Sequence, residues 1–372
     1  MIFITDKESL LNKLRTVEKI TVQRGIQPVL ANILFEAEGN KIKLSATDLD
    51  LSIITTTTAS VKEEGKITLP ARKIFEIVSK LPDKPIEFAL NPDNNVVTIK
   101  CGSTKFDIIG ISAEEFPKII QKENELTDED IITVEADTLI KSIKNTAFAV
   151  ASFDNRNVIS GVFCKIEEDK IEMAATDGNR LAKYSQKISN SDGKSAKIVI
   201  PAKTLNEFLR VSSIIVEDKV KIKVINSKLI LKTNSYIIIS KLVSGEYPQY
   251  NQLIPKDMIN VVNVDKNELY GAIDRVSCMI NERTNVVKLT LRDGKMYLKA
   301  DTPDSGTSDD VIETDYKGDE FKIAFNYKLV FDFLKTIECD KFTMGLNGSQ
   351  SAAVFKPISS DDYVYLVMPM KI

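Results

Sequence analysis

Two rhythms of apolar and polar positions alternate along the chain, and their order recurs three times at intervals of about 125–130 residues. Each copy opens on apolar residues at helical spacing: DKESLLNKLRTVEKI from Asp6, ADTLIKSIKNTAFAV from Ala136 and DKNELYGAIDRVSCM from Asp265. An Asp stands at or near each helix start. Two-residue alternation follows on both sides of a charged turn in ILFEAEGNKIKLSATD (33–48), VFCKIEEDKIEMAATD (162–177) and KLTLRDGKMYLKAD (288–301), predicting a strand pair in each copy. A short strand then runs into a second helix in ITLPARKIFEIV, IVIPAKTLNEFL and IAFNYKLVFDFL, from Ile67, Ile198 and Ile323. Pro70 and Pro201 stand where a missing N–H costs nothing, and the Asn326 side chain is placed to cap the third helix. Each copy closes on strands rich in β-branched and aromatic residues, NNVVTIKCGSTKFDIIGI, KLILKTNSYIIISKLV and SAAVFKPISSDDYVYLVM. The order predicts an α+β fold of three similar domains. Polar, Pro-bearing stretches at Glu114–Asp130 and Gly245–Met258 share an acidic-aromatic-Pro step and place the joints, so domains are expected at 1–125, 126–255 and 256–372.

A length of 372 residues fits that count, at ~100–200 residues per domain. With 43% hydrophobic and 28% charged residues, neither disorder nor a fibre is indicated. No apolar run approaches the ~18–20 residues of a membrane span, and acidic residues interrupt the N-terminus where a secretory signal would stay apolar. A cytoplasmic protein with no membrane partner is expected. Cys101, Cys164, Cys278 and Cys339 are widely spaced, which predicts free, mostly buried thiols and no metal site. No cofactor is expected either.

The chain has no histidine, the usual general base near neutral pH and the commonest ligand of catalytic zinc. This disfavours an enzyme without excluding carboxylate or lysine chemistry, for which Asp48, Asp50 and Asp177 are the acids to weigh. Asp48 and Asp177 end equivalent strands, however, which points to a turn role.

The formal charge of −3 argues against a nucleic-acid partner until it is mapped. The six helical stretches together carry +8, which leaves −11 on the remainder. In the second helix Ile74, Ile77, Val78 and Leu81 form an apolar stripe, while Arg72, Lys73 and Lys80 load the rest with positive charge. Lys141 and Lys144, and Lys203 and Arg210, do the same for the helices of the second copy. Singly, each is an ordinary solvated face. Together they suit duplex DNA held through its phosphates by counterion release, and no motif that reads bases is present.

Seven ordered segments resemble the bacterial DNA polymerase III β subunit family along essentially the whole chain. They are RGIQPVLANILFE from Arg24, KIKLSATDLDLSI, LPARKIFEIVSKLP, FDIIGISAEEFPKI, MAATDGNRLAKYS, SKLVSGEYPQY and the terminal YLVMPMKI. The resemblance implies three DNA-clamp domains, each with two helices packed on antiparallel sheets, and a head-to-tail homodimer closing a six-domain ring around DNA. It implies a non-catalytic processivity factor, nucleoid-associated during replication. Its partners would be a clamp loader, replicative and other DNA polymerases, and mismatch-repair and ligase-type proteins bearing short Gln/Leu/Phe-containing peptides.

Carried over by position, the family's peptide pocket takes in Thr176, Gly178, Asn179, Arg180 and Leu181, with Ile159 as an apolar wall. Pro248, Gln252, Leu253 and Leu329 follow, then Leu366, Met368, Pro369 and Met370 at the chain end. Flexible methionines suit a promiscuous site. Asn179, Gln252, Leu253 and Leu329 depart from residues common in the family. Arg24 matches a loop cation that contacts DNA, and Phe153 replaces a polar residue in a second contact loop, Ser152–Arg156. Phe106 and Ile108 match the first domain's edge of the dimer contact, and Cys278 and Met279 the third domain's patch. A monomeric three-repeat binding scaffold is the alternative outside catalysis.

Overall fold

The computed structural model describes residues 1–22, 27–119, 131–151, 157–188, 194–280, 284–302 and 306–371. Every strand pairing among them is antiparallel, in two eight-stranded sheets, one of five strands and one of four. Six α-helices accompany them: α1 (Lys7–Glu18), α2 (Ala71–Lys80), α3 (Ala136–Lys144), α4 (Ala202–Ile214), α5 (Lys266–Ser277) and α6 (Tyr327–Thr336). None of these is long and apolar enough to cross a membrane.

The helix starts follow the expected chemistry with one exception. Asp6 accepts from the Ser9 N–H at 2.9 Å, Asp265 from Asn267 and Glu268 at 2.9 and 3.1 Å, and Asn326 from Lys328 at 3.1 Å. In α3 the acid, Asp137, lies inside the first turn instead.

Compact packing divides the chain into two units that do not follow the three sequence copies. One unit holds described residues within 1–136, 190–194 and 203–242; the other holds those within 137–189, 195–202 and 243–372. The cause is hydrogen bonding across copies. In the first unit, Leu51–Thr58 of copy one pairs with Tyr236–Lys241 of copy two, Ile54 opposite Ile237. In the second, Arg180–Lys187 of copy two pairs with Tyr363–Val367 of copy three, Leu181 opposite Leu366. Each eight-stranded sheet is therefore continuous across a copy boundary.

In the first unit Leu10, Leu14 and Val17 of α1 and Ile74 and Val78 of α2 are buried, and Phe3 stacks on Phe88 with ring centroids 4.7 Å apart. The apolar stripe expected for α2 is thus its buried side. In the second unit Phe333 of α6 stacks on Tyr365 at 5.1 Å and meets Phe342 edge-on at 5.2 Å. All four cysteines are free; Cys101 and Cys164 are buried, Cys278 is exposed and Cys339 is partly covered. Burial pushes the Cys164 thiol up to about 12, so it is inert.

The two ATD sequences fold into the same turn. Asp48 accepts from the N–H groups of Asp50 and Leu51 at 3.0 and 2.7 Å, and Asp177 from those of Asn179 and Arg180 at 2.9 and 3.0 Å. Thr47 and Thr176 each accept from the residue two ahead and donate to the carbonyl four ahead. One oxygen of each carboxylate is spent on the backbone of the turn, as their recurrence suggested, and the other meets a cation, Lys203 for Asp48 and Arg180 for Asp177. The middle residue is left-handed in both, Gly178 at φ +89° and Leu49 at φ +80°. A β-carbon there strains Leu49 but not Gly178. Leu49→Gly is expected to stabilise the chain by about 1 kcal/mol after the added entropy cost of glycine, read as a higher midpoint in urea unfolding.

Candidate protein-binding groove and basic helix faces

The second unit gathers every residue of the expected pocket. Beyond Val367 the chain continues the ladder, the Met368 N–H donating to the Asn179 carbonyl at 2.8 Å, before the Met370 N–H bonds the Ala324 carbonyl at 2.8 Å. Met368 is thereby pinned beside the turn of residues 176–180 with 45% of its surface exposed. Above Gly178 a β-carbon would meet nothing within 4 Å, so the turn is open to an incoming chain.

Arg180 is engaged by several groups of the same unit. Its guanidinium binds Asp177 at 3.0 Å, Asp332 at 2.5 Å and the Phe148 carbonyl at 2.7 Å, and lies 5.3 Å from the centroid of the Phe148 ring. These bonds fasten the turn to the rest of the unit.

Leu181 and Leu366 are buried in an apolar cluster with Phe163, Val199, Tyr250 and Val354, against which Val158, Tyr247 and Ile254 pack. The segment carrying Pro248, Gln252 and Leu253 crosses this cluster as a short 3-10 turn, Tyr250–Leu253, with Leu253 58% exposed. Sequence reasoning missed what holds it. The Tyr250 hydroxyl donates to Glu172 at 2.6 Å, and Lys183 bridges Glu172 at 3.2 Å and the Asn251 side chain at 2.8 Å. Burial pushes the Glu172 carboxyl up, but the Tyr250 hydroxyl, Lys183 and Lys170 outweigh it and hold it below the usual glutamate range. These partners lie up to 78 residues apart, so no local pattern announces them.

Not all pocket residues converge. Pro248 and Gln252 line a cavity of about 350 Å³ with Phe163, Tyr247 and Tyr250, which Met368–Met370 do not line. Ile159 sits half-buried in the 3-10 turn Val158–Ser160, and Leu329 of α6 accepts the Tyr365 hydroxyl on its carbonyl at 2.9 Å.

The basic residues divide by engagement. Arg24 and the loop with Phe153 lie outside the described residues. Arg72 lines an open groove of about 640 Å³ with Arg15, Lys19, Phe75 and Arg210. Lys73 and Lys80 are exposed and share Glu76 at 3.5 and 2.8 Å, Lys203 pairs with Asp48, and Lys141 and Lys144 are exposed on α3. Arg210 differs from the exposed cation expected. It bonds Glu207 at 2.6 Å and the carbonyls of Arg15 and Thr16 at 2.8 and 2.7 Å, closing the last turn of α1.

Of the edge residues, Phe106 is 38% exposed on Thr104–Ile109, the outermost strand of the five-stranded sheet. Ile108 is only 8% exposed and packs within its own chain, whereas Ile109 is 74% exposed. Cys278 and Met279 end α5, whose Val276 carbonyl accepts from Ser308 at 3.0 Å on Gly306–Glu313, the outermost strand of the four-stranded sheet.

Three consecutive family models match the chain: DNA polymerase III beta subunit N-terminal domain over residues 1–120, central domain over 133–249 and C-terminal domain over 251–371. The beta sliding clamp of Synechocystis sp. is 31% identical over 393 residues, covering both chains fully, and that of Pseudomonas putida 28% over 373. Among solved structures, the DNA polymerase sliding clamp of Bacillus subtilis aligns with a TM-score of 0.93 at 28% identity, covering 100% of this chain and 99% of that one. The DNA polymerase III subunit beta of Pseudomonas aeruginosa also aligns at 0.93, with 27% identity and full coverage of both.

Proposed function

Because the chain belongs to the DNA polymerase III beta subunit family, whose three-domain fold of helices on sheets it shares, we propose that it is a DNA sliding clamp, a tether without catalysis of its own. The observation that carries this reading is the match of all three family domains in order along one chain. The domains of this reading are residues 1–125, 126–255 and 256–372. Two chains join head to tail, the edge strand with Phe106 meeting the third domain's edge beside Cys278 and Met279, and close a six-domain ring. Unpaired strand edges suit such a contact, and a heterologous contact that closes forms a ring.

Duplex DNA passes through the ring, held by phosphate contacts from Arg24, Arg72, Lys73, Lys80, Lys141, Lys144 and Lys203. With no base read, the ring slides and raises the effective concentration of a bound polymerase at the primer end. Polymerases, the loader and repair and ligase-type proteins dock Gln/Leu/Phe-containing peptides in the groove between Thr176–Leu181 and Met368–Met370. The protein works in the cytoplasm, on the nucleoid during replication. Primer extension on a primed circle with the cognate polymerase and loader tests the reading; long products should require this chain, and equal product lengths without it would reject the proposal.

The basic faces make a separate prediction. Charge reversal at Lys73, Lys80 and Lys203 should flatten the salt dependence of direct DNA binding by roughly one logarithmic unit of slope per lost phosphate contact. Their exposure keeps each stability change within ~0.5 kcal/mol. An unchanged slope would remove these lysines from the DNA contact.

A further inference from the structure

The joint of the first unit repeats the turn and several backbone hydrogen bonds of the groove of the second. Beyond the shared turn, the ladder Leu51 to Ser240 and Ser52 to Ile239 reproduces Arg180 to Val367 and Leu181 to Leu366. The next bond recurs as well, the Lys241 N–H donating to the Asp50 carbonyl at 2.9 Å where Met368 donates to Asn179. The Leu30 carbonyl accepts from Val22 at 3.0 Å as that of Ile159 accepts from Ala151 at 3.0 Å. Even the neighbouring cavity recurs, at about 360 Å³, with Leu34, Phe116 and Pro117 in the places of Phe163, Tyr247 and Pro248.

Among the side chains that differ between the two joints, four matter here. Leu49, 47% exposed, stands where Gly178 leaves the turn open. Ser52 stands in the place of Leu181, a buried member of the apolar cluster, and Lys241 replaces Met368 and pairs at 2.8 Å with Asp50, which replaces Asn179. That ion pair is exposed, so it adds little stability, yet an apolar anchor seated over it would have to strip water from both charges.

We propose that the joint of the first unit is a second peptide-docking groove of the same build, held closed by Leu49, Asp50, Ser52 and Lys241, and that these four residues limit each chain to one partner peptide. The occupant it would accept once opened is the apolar-anchored Gln/Leu/Phe peptide itself. The inference rests on the reading of the second unit's groove as the peptide site.

The test is the number of labelled Gln-Leu-Ser-Leu-Phe peptides bound per chain, titrated at protein concentrations far above the dissociation constant. The wild-type chain should bind one. The variant Leu49→Gly/Asp50→Asn/Ser52→Leu/Lys241→Met should bind two, and still one after removal of Met368–Ile372. A folded variant that binds one peptide, and none after the truncation, overturns the proposal. A wild-type chain that binds none instead overturns the peptide-site reading beneath it. Should Ser52→Leu prevent folding, Leu49→Gly/Lys241→Met alone should show a second site about tenfold weaker than the first, and no second site at that strength is equally decisive.

Discussion

Removal of Met368–Ile372 is expected to weaken binding of a Gln-Leu-x-Leu-Phe peptide by at least about a hundredfold, close to 2.7 kcal/mol, while the fold and the dimer persist. The backbone of Met368 and Met370 is fixed by hydrogen bonds to the Asn179 and Ala324 carbonyls, which holds this segment beside the turn of residues 176–180. Preorganised apolar contacts of this kind give a site most of its affinity. The fold is expected to survive because the last strand ends at Val367 and Met368 is exposed, so the deletion removes residues beyond the buried Tyr365, Leu366 and Val367. Fluorescence anisotropy reads the affinity, and circular dichroism with sedimentation reads fold and dimer. Wild-type affinity in a folded truncation would contradict the pocket assignment, and an unfolded product would show that residues 368–372 serve the core.

Placing a carboxylate at Phe106 is expected to open the ring. Phe106 lies on a free strand edge, and Phe106→Asp would bury an unpaired charge in an apolar contact, at a cost of several kcal/mol. The product should be a folded single chain of 41.5 kDa at concentrations where the wild type should sediment at twice that mass. Met279→Asp, on the opposite face of the proposed contact, should do the same. Ile108 is the wrong place for this experiment, because its side chain is buried within its own chain and a charge there would damage the fold first. Persistence of dimers in both variants at low concentration would move the interface elsewhere.

The repeat, the helix starts at Asp6, Asp265 and Asn326, and the turn role of Asp48 and Asp177 were legible in the sequence because each depends on residues within a few positions of one another. The division into units was not. Alternating apolar residues identify Leu51–Thr58 and Tyr236–Lys241 as strands, but alternation does not name the partner strand, and these lie about 180 residues apart. Arg210 shows a second limit. Its spacing from Lys203 predicted an exposed cation, whereas the carbonyls at the end of α1 claim it through contacts nearly 200 residues away in sequence. Within the groove, the chain end and the turn were readable from their motifs, but the Glu172, Lys183 and Tyr250 cluster that holds the 247–253 segment was not, since a glutamate in an alternating strand ordinarily faces water.

The central claim, topological linkage to DNA, is tested most directly by loading the protein onto nicked circular DNA and measuring retention before and after the circle is cut. A sliding ring should remain on the circle through gel filtration at a salt concentration that abolishes direct binding, and should run off within minutes once the DNA is linear. Equal retention on circular and linear DNA would contradict the account, because only a protein held by local contacts is indifferent to free ends.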